Sequence, residues 1–482
     1  MSLERIILPH GGLPHIIQGG MGVAVSNWEL ARTVSKRGQL GVVSGTGIEV
    51  ILARRLQDGD KDGKMRKAIS KFPVDRIAEE VLNKYFIEGG KNPDKNYKPT
   101  PFPKLKQDSK NLILNNRHLE ELIILATFVE VHLAKENHNG LVGINLLYKV
   151  QHMMPQSLYG AMLADVDAVL IGAGIPKPVP DALDVLVNGD LVSMPFPVTS
   201  GTDYNLQFNP SEVMGKCIEV RRPDFIGIIT TQTSMRGLPN ADGYVFENPT
   251  AGGHNAPPRI KGELNEFGEP DYGEKDKINM KMVHQILSRR DNPQPFWFAG
   301  GYANKLFEAF TEGAAGVQIG TPFAFSRESG IELEHKLRIR EAILNDAEVF
   351  ADPRASPTGF PFQVLSLEGS LSENGIYTGR ERICDKGYLL EFFEQEESVK
   401  SRCASEPRKI YIGKGGIETE LDKRKCICNA LISLAGFPSI RKDGYVEPAL
   451  ITSGKDTSFV ETLMYRFGDY TANDVIDLME AA

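Results

Sequence analysis

One histidine in this chain stands where proton chemistry could be done. His254 comes after a glycine pair in NPTAGGHNAPP, residues 248–258, directly after a short apolar run at 244–247. Gly252 and Gly253 let the backbone pass close to a bound ring, and Pro257 and Pro258 stiffen the chain just beyond it. At the C-terminal end of a parallel strand such a histidine is placed to take or give a proton. The same residue could instead hold its loop through a structural hydrogen bond, and position alone leaves both readings open. Of the nine histidines, only this one comes immediately after a glycine pair at a strand end. The acidic loop beyond it, 259–277, is long enough to act as a lid.

A second stretch offers anion binding. Two apolar runs, Phe296–Ala299 and Gly316–Ile319, end in Gly300-Gly301 and Gly320-Thr321, with an amphipathic helix between them at about 304–312. Strand, helix, strand makes a βαβ unit with parallel strands. Glycine turns at both strand ends leave amide N–H groups free to approach a phosphate, as the turns after strands seven and eight of a parallel barrel commonly do. The bland reading is that these glycines only permit tight turns. Further polar candidates at strand ends are Gln18, Ser44, Asn145 and Gln232. Asn145 sits in an apolar strand, where an amide needs a definite partner, either a ligand carbonyl or the neighbouring strand. Gln318, inside its strand, is read as lining the barrel.

The cysteines are unevenly placed. Cys217 stands alone, while Cys384, Cys403, Cys426 and Cys428 crowd the C-terminal part. Four thiols could hold a metal, but the pair at 426 and 428 has one intervening residue rather than the usual two to four. Buried thiols are the other reading, and no metal is assigned to the site. No serine triad, P-loop or histidine-rich metal cluster is recognisable.

These groups need a scaffold. Apolar runs centred on Ile16, Val42, Ile144, Val169, Ile228, Val245, Phe298 and Val317 make eight strands. Most are closed by glycine or a small polar residue, and helical patterns alternate with them. A (β/α)8 barrel of TIM type is the economical reading, and an open doubly wound sheet is the alternative. No GxGxxG opens a helix after a strand, which disfavours a dinucleotide-binding Rossmann site. Asn27 is placed to cap a helix over 28–37. The connection at 231–243 is so short that its helix must be stunted. Residues 59–116 interrupt the rhythm with a helical stretch at 64–85 and a loop rich in Pro, Gly and Lys at 89–105. They read as an insertion after strand 2, ahead of a long crossover helix at about 118–136. Residues 191–198 read as an extra edge strand. The barrel occupies 1–345, and 346–482 form an additional C-terminal extension of short helices and loops covering one side of the barrel mouth.

Composition sets the class. At 482 residues the chain exceeds one simple core, and 41% hydrophobic with 24% charged residues is ordinary for a soluble protein. A net charge of −8 argues against a nucleic-acid groove or an anionic membrane surface as the main partner. Without a membrane-length apolar run or a signal-peptide pattern, a cytoplasmic location with reduced cysteines is expected.

Several motifs together resemble the nitronate monooxygenase family, formerly called 2-nitropropane dioxygenases, which is related to the flavin-dependent enoyl-acyl-carrier-protein reductases. They are IIQGGMG at 16–22, GQLGVVSG at 38–45, GINLL at 143–147, TAGGH at 250–254, FAGGYA at 298–303 and GAAGVQIGTPF at 313–323. The resemblance implies FMN across the barrel mouth, its phosphate on Gly300, Gly301, Gly320 and Thr321 and its isoalloxazine near Gly20, Met21 and Asn145. It maps the family's histidine base onto His254. It implies that a nitronate is oxidised by one electron at the flavin, O2 then reacts, and a carbonyl compound and nitrite leave. His254 would remove the α-proton of a neutral nitroalkane, a step suited to a neutral imidazole with pKa near working pH. The alternative is an NAD(P)H-dependent FMN reductase of enoyl thioesters, and a third reading is a non-catalytic flavin-binding partner protein. The partners expected are thus small molecules, and a homo-oligomer is one arrangement the sequence allows. The chain departs from the family in its insertion, in the residues after 345 and in the NAPPR beyond His254.

Overall fold

The computed structural model describes residues 4–8, 11–199, 203–259, 264–265, 268–421 and 424–481. Its centre is a ring of eight parallel strands: β1 (Ile16–Gln18), β2 (Gly41–Ser44), β3 (Val142–Leu147), β4 (Ala168–Gly172), β5 (Asp224–Ile229), β6 (Gly243–Glu247), β7 (Phe296–Ala299) and β8 (Gly316–Ile319). From β2 to β8 each pairs with its neighbour in chain order, and β8 pairs with β1 through Ile17 and Gln318. The last gap is closed at Leu40, which bridges Ile17 and accepts the Gln18 N–H at 2.9 Å. The Gln18 side chain reinforces this seam by accepting the Val42 N–H at 3.0 Å. The sheet is therefore a closed barrel, and the open doubly wound alternative is excluded.

Alternation along each strand sends every second side chain inward. Ile17, Val42, Leu170, Ile226, Ile228, Val245, Trp297 and Ala299 pack as one interior cluster, separate from the larger apolar layer between the strands and the outer helices. Helix placement depends on local capping. The Asn27 side chain accepts the Leu30 N–H to start helix Trp28–Lys36, as expected. The connection between β5 and β6 holds only the short helix Gln232–Gly237, capped by Thr231.

Three parts differ from the sequence reading. First, β2 is followed directly by helix Ile48–Gln57, whose residues are buried nearly all round, so it carries no one-sided stripe to be recognised. The inserted residues come after it and precede helix Arg117–Lys135. Second, the helical stretch at 64–85 is two helices, Lys64–Ile69 and Asp75–Tyr85, separated across Pro73. The insertion also contains the strands Leu105–Asp108 and Asn111–Leu114, with Ser109 at φ 56 in their turn. They join Tyr204–Phe208 and Val192–Phe196 in a four-stranded sheet, so the extra strand at 191–198 is an edge of this sheet and not of the barrel. Third, the chain after 345 contains strands as well as helices. Val349–Asp352 and Phe362–Leu365 pair antiparallel, and Gly253–His254 adds to Phe362–Leu365 as a third strand. Glu391–Gln395 and Ser398–Arg402 form a hairpin whose Phe392 packs on the four-stranded sheet. Helix Ala472–Glu480 packs beside helix Trp28–Lys36, with Arg37 paired to Asp477. Among the described residues, no helix is long and apolar enough to cross a membrane.

Candidate active site at the barrel mouth

The inward positions at the C-terminal ends of the strands form the floor of a cavity of ≈ 260 Å³. Gly19, Ser44, Asn145, Gly172, Ile228, Glu247, Ala299 and Gln318, one from the end of each strand, face it. That volume is close to the ~300 Å³ lower bound of ligand pockets. All eight residues singled out in the sequence for a cofactor or for catalysis line it: Gly20, Met21, Asn145, His254, Gly300, Gly301, Gly320 and Thr321.

The floor is crowded where Gly20 meets Asn145. A Cβ on Gly20 would lie 2.1 Å from the Asn145 Cβ, so this glycine lets the amide rise into the cavity. The Asn145 side chain hydrogen-bonds to no group among the described residues, which removes the neighbouring strand as its partner. The Gln318 Oε1 is buried and likewise without a partner. Gln18, by contrast, is fully spent on Val42 and Ser26. Gln232 lies outside the cavity, where its carbonyl accepts the Asn279 N–H at 3.4 Å.

The turn after β7 has both glycines left-handed, Gly300 and Gly301 each at φ 80. A Cβ at Gly300 would press on Asn248 O at 2.9 Å. The N–H groups of Gly301 and Tyr302 donate to no group among the described residues. After β8, Gly320 has an ordinary φ of −108. The Thr321 hydroxyl accepts the Gly454 N–H at 2.7 Å. Gly454 belongs to the wall contributed by the chain after 345, together with Phe362, Tyr388, Leu389, Ile427, Cys428, Leu431, Ser453 and Phe459.

His254 makes the structural hydrogen bond that its sequence position allowed, and it also faces the cavity. Its backbone pairs with Phe362, its ring meets the Phe362 ring edge-on at 4.8 Å, and Nε2 lies 2.7 Å from Ser356 Oγ. Burial and the Lys149 charge push its pKa well below the usual histidine value, so the ring is neutral across the working range. The expectation of a pKa near working pH is therefore not met by His254. Burial brings Glu247 there instead, raised to about 7. Burial lowers the neighbouring Lys149 to about 7 as well, with its ammonium 3.6 Å from the centre of the Phe360 ring.

Glu247, Gln318 as an unpaired acceptor and the whole wall after residue 345 were not recognised in the sequence as site groups. A carboxylate closing an apolar barrel strand was the one available signal for Glu247. The wall had none, because its residues come from scattered loops. Of the lid at 259–277, residues 260–263 and 266–267 lie outside the described residues. The rest is tied down by Glu269, which accepts the Ala351 N–H at 2.8 Å and pairs with Lys455 at 2.8 Å.

No protein-family profile and no curated protein matches the chain. Among solved structures, it is similar to FabK from Thermotoga maritima at 18% identity, over 73% of this chain and 71% of that one, with a TM-score of 0.35. It is similar to a nitroalkane oxidase from Streptomyces ansochromogenes at 13% identity, over 98% and 96% of the two chains, with a TM-score of 0.42. The enoyl reductase domain of MlnA, from the macrolactin biosynthesis cluster of Bacillus amyloliquefaciens, gives 11%, 98% and 96%, and 0.44. Likenesses this slight carry no argument about chemistry, and the barrel rests on its own strand pairing.

Proposed function

We propose that the chain is an FMN-dependent oxidoreductase that oxidises alkyl nitronates with O2 to carbonyl compounds and nitrite. The observation that carries this reading is a cavity lined by polar groups without partners among the described residues: the Asn145 amide, Gln318 Oε1 and the N–H groups of Gly301 and Tyr302. Of these, Gln318 Oε1 is buried, and a buried acceptor left unpaired costs stability unless a ligand or water completes it, while the others are open to a ligand. A flat heterocycle with carbonyl and N–H edges fits the first two, and a phosphate fits the amides of the glycine turn.

In this assignment Gly300, Gly301, Gly320 and Thr321 hold the phosphate, while Gly20, Met21 and Asn145 seat the ring. FMN, when bound, would supply the redox chemistry between substrate and O2. His254 acts on the proton. In the tautomer that donates Nε2–H to Ser356 Oγ, which is itself 2.7 Å from Thr358 Oγ1, the lone pair is on Nδ1. Nδ1 then takes the α-proton of a neutral nitroalkane, while a preformed nitronate needs no such step.

A second reading has one observation in its favour. Leu389, Ile427, Leu431 and Phe459 line the wall and suit the acyl chain of an enoyl thioester, reduced at the expense of NAD(P)H. Anaerobic mixing separates the two. Bleaching of flavin-loaded protein by a nitronate supports the monooxygenase, and bleaching by NADPH supports the reductase. Retained colour with both would mark a flavin-binding protein without this catalysis.

A further inference from the structure

The cavity at the barrel mouth is lined by charge of one sign. Among the described residues, no lysine or arginine lines it, whereas Glu247 and Asp456 do. Asp456 is exposed and accepts the Ser458 N–H at 3.0 Å. Glu247, deep in the fold at the end of β6, has neither advantage. It accepts no hydrogen bond and joins no ion pair among the described residues. Beside it stand Ala299, its register partner on β7, and Ile228 near the end of β5.

Elsewhere the fold supplies its buried carboxylates with partners. Glu121 is paired with Arg76, Glu130 with Arg55 and Asp242 with Arg222, while Asp224 accepts the N–H groups of Arg5 and Ile6. A carboxylate in an apolar place without such partners is unfavourable, and the group holds its proton instead. Burial accordingly raises Glu247 to about 7. The other titratable groups of the lining bring no positive charge there. His254 is neutral, and Tyr302, Tyr388 and Cys428 are all raised. Lys149 lies outside the lining, with its ammonium 3.6 Å from the centre of the Phe360 ring, and its charge acts on His254 but not on Glu247.

An anion bound beside Glu247, away from the amides of the glycine turn, therefore meets a like charge with nothing to offset it. At an effective dielectric of about 20, like charges ~6 Å apart weaken binding by on the order of a hundredfold. A proton on the carboxyl removes that penalty. We propose that Glu247 sets which charge form of the substrate the site accepts: a nitronate, or another small oxyanion, binds with the Glu247 carboxyl protonated and takes one proton up from solvent. A neutral nitroalkane needs no such proton. This inference deepens the nitronate reading and rests on it for the charge of the substrate.

The test uses flavin-loaded protein and nitrite, an oxyanion whose charge is constant between pH 6.5 and 8.5. Binding is read from the shift it causes in the flavin absorbance. For a group at about 7, the wild-type Kd should rise about twenty-fold over that range. Glu247→Gln should keep Kd within about two-fold of the wild-type value at pH 6.5 throughout. Lys149→Met should keep the wild-type slope, which separates Glu247 from the other group brought to about 7. Should Glu247→Gln not fold, Lys149→Met decides. No nitrite binding at either pH, a flat wild-type profile, an undiminished slope in folded Glu247→Gln or a slope lost in Lys149→Met would each overturn the inference. Bleaching by a nitronate is scored apart. Protein that shows this slope with nitrite yet is not bleached by nitronates would refute the substrate reading and keep the proton linkage.

Discussion

Gly20 and Asn145 share space that only one side chain can occupy: a Cβ on the glycine would stand 2.1 Å from the Cβ of the asparagine. The unpaired amide of Asn145 is therefore held in the cavity by the absence of a side chain opposite.

Gly20→Ala must displace Asn145, and flavin binding should suffer with the barrel intact. At least ten-fold weaker FMN affinity is expected, about 1.4 kcal/mol, read by fluorescence titration beside an unchanged circular dichroism spectrum. Equal affinity would remove Asn145 and Gly20 from the ring site.

The phosphate assignment is tested at Gly320, because its φ of −108 admits a side chain and a Cβ there meets only Met21 at ordinary contact distance. Gly320→Asp therefore adds charge without backbone strain. FMN binding should weaken by about a hundredfold, roughly 3 kcal/mol, while riboflavin, lacking the phosphate, should lose far less. A similar loss for both would place the phosphate elsewhere.

If His254 moves the α-proton and Ser356 orients it, His254→Ala should lower kcat/KM for a neutral nitroalkane by about 10²–10⁴. Turnover of the preformed nitronate should change less than ten-fold. Ser356→Ala should show the same split more weakly. Because burial keeps His254 neutral well below its usual range, an acid limb near pH 7 would come from Glu247, raised to about 7, and should vanish in Glu247→Gln. Full nitroalkane turnover in His254→Ala would end its role as base.

Stability should carry a separate histidine signature. His152 is buried with Nε2 at 2.9 Å from Gly387 O, and burial lowers its pKa to about 4. The unfolded chain takes up a proton near pH 6.5 that the folded one refuses. The contribution is thus fully present above pH ~6.5 and is lost as pH falls toward 4, a total of about 3 kcal/mol. Chemical denaturation at pH 7.5 and 5 should show about 2 kcal/mol of this loss, and His152→Gln should flatten part of it. An unchanged slope in that variant would contradict the burial argument.

The barrel was legible because its signals are local. Each strand is a short apolar run closed at its end, and β1–β8 fall at all eight expected centres. Helix Ile48–Gln57 was not legible, since burial on every side erases periodicity. The hairpin at 105–114 turns at Ser109 without glycine, so only the weaker signal of Asp108, Ser109 and Asn111 marked it. Glycine pairs beside strand ends pointed to the cavity correctly. The extension after 345 was expected over one side of the mouth, but which of its residues line it could not be read, because Phe362, Cys428 and Gly454 reach it only through long-range packing. The His254–Ser356 hydrogen bond is of the same kind, joining residues one hundred and two positions apart.

The chromophore carried by the purified protein tests the flavin assignment most directly. Denaturing the protein and identifying the released chromophore by chromatography should yield about one FMN per chain, matched to the cavity at the barrel mouth. A colourless protein that binds no added FMN at micromolar concentration would contradict it.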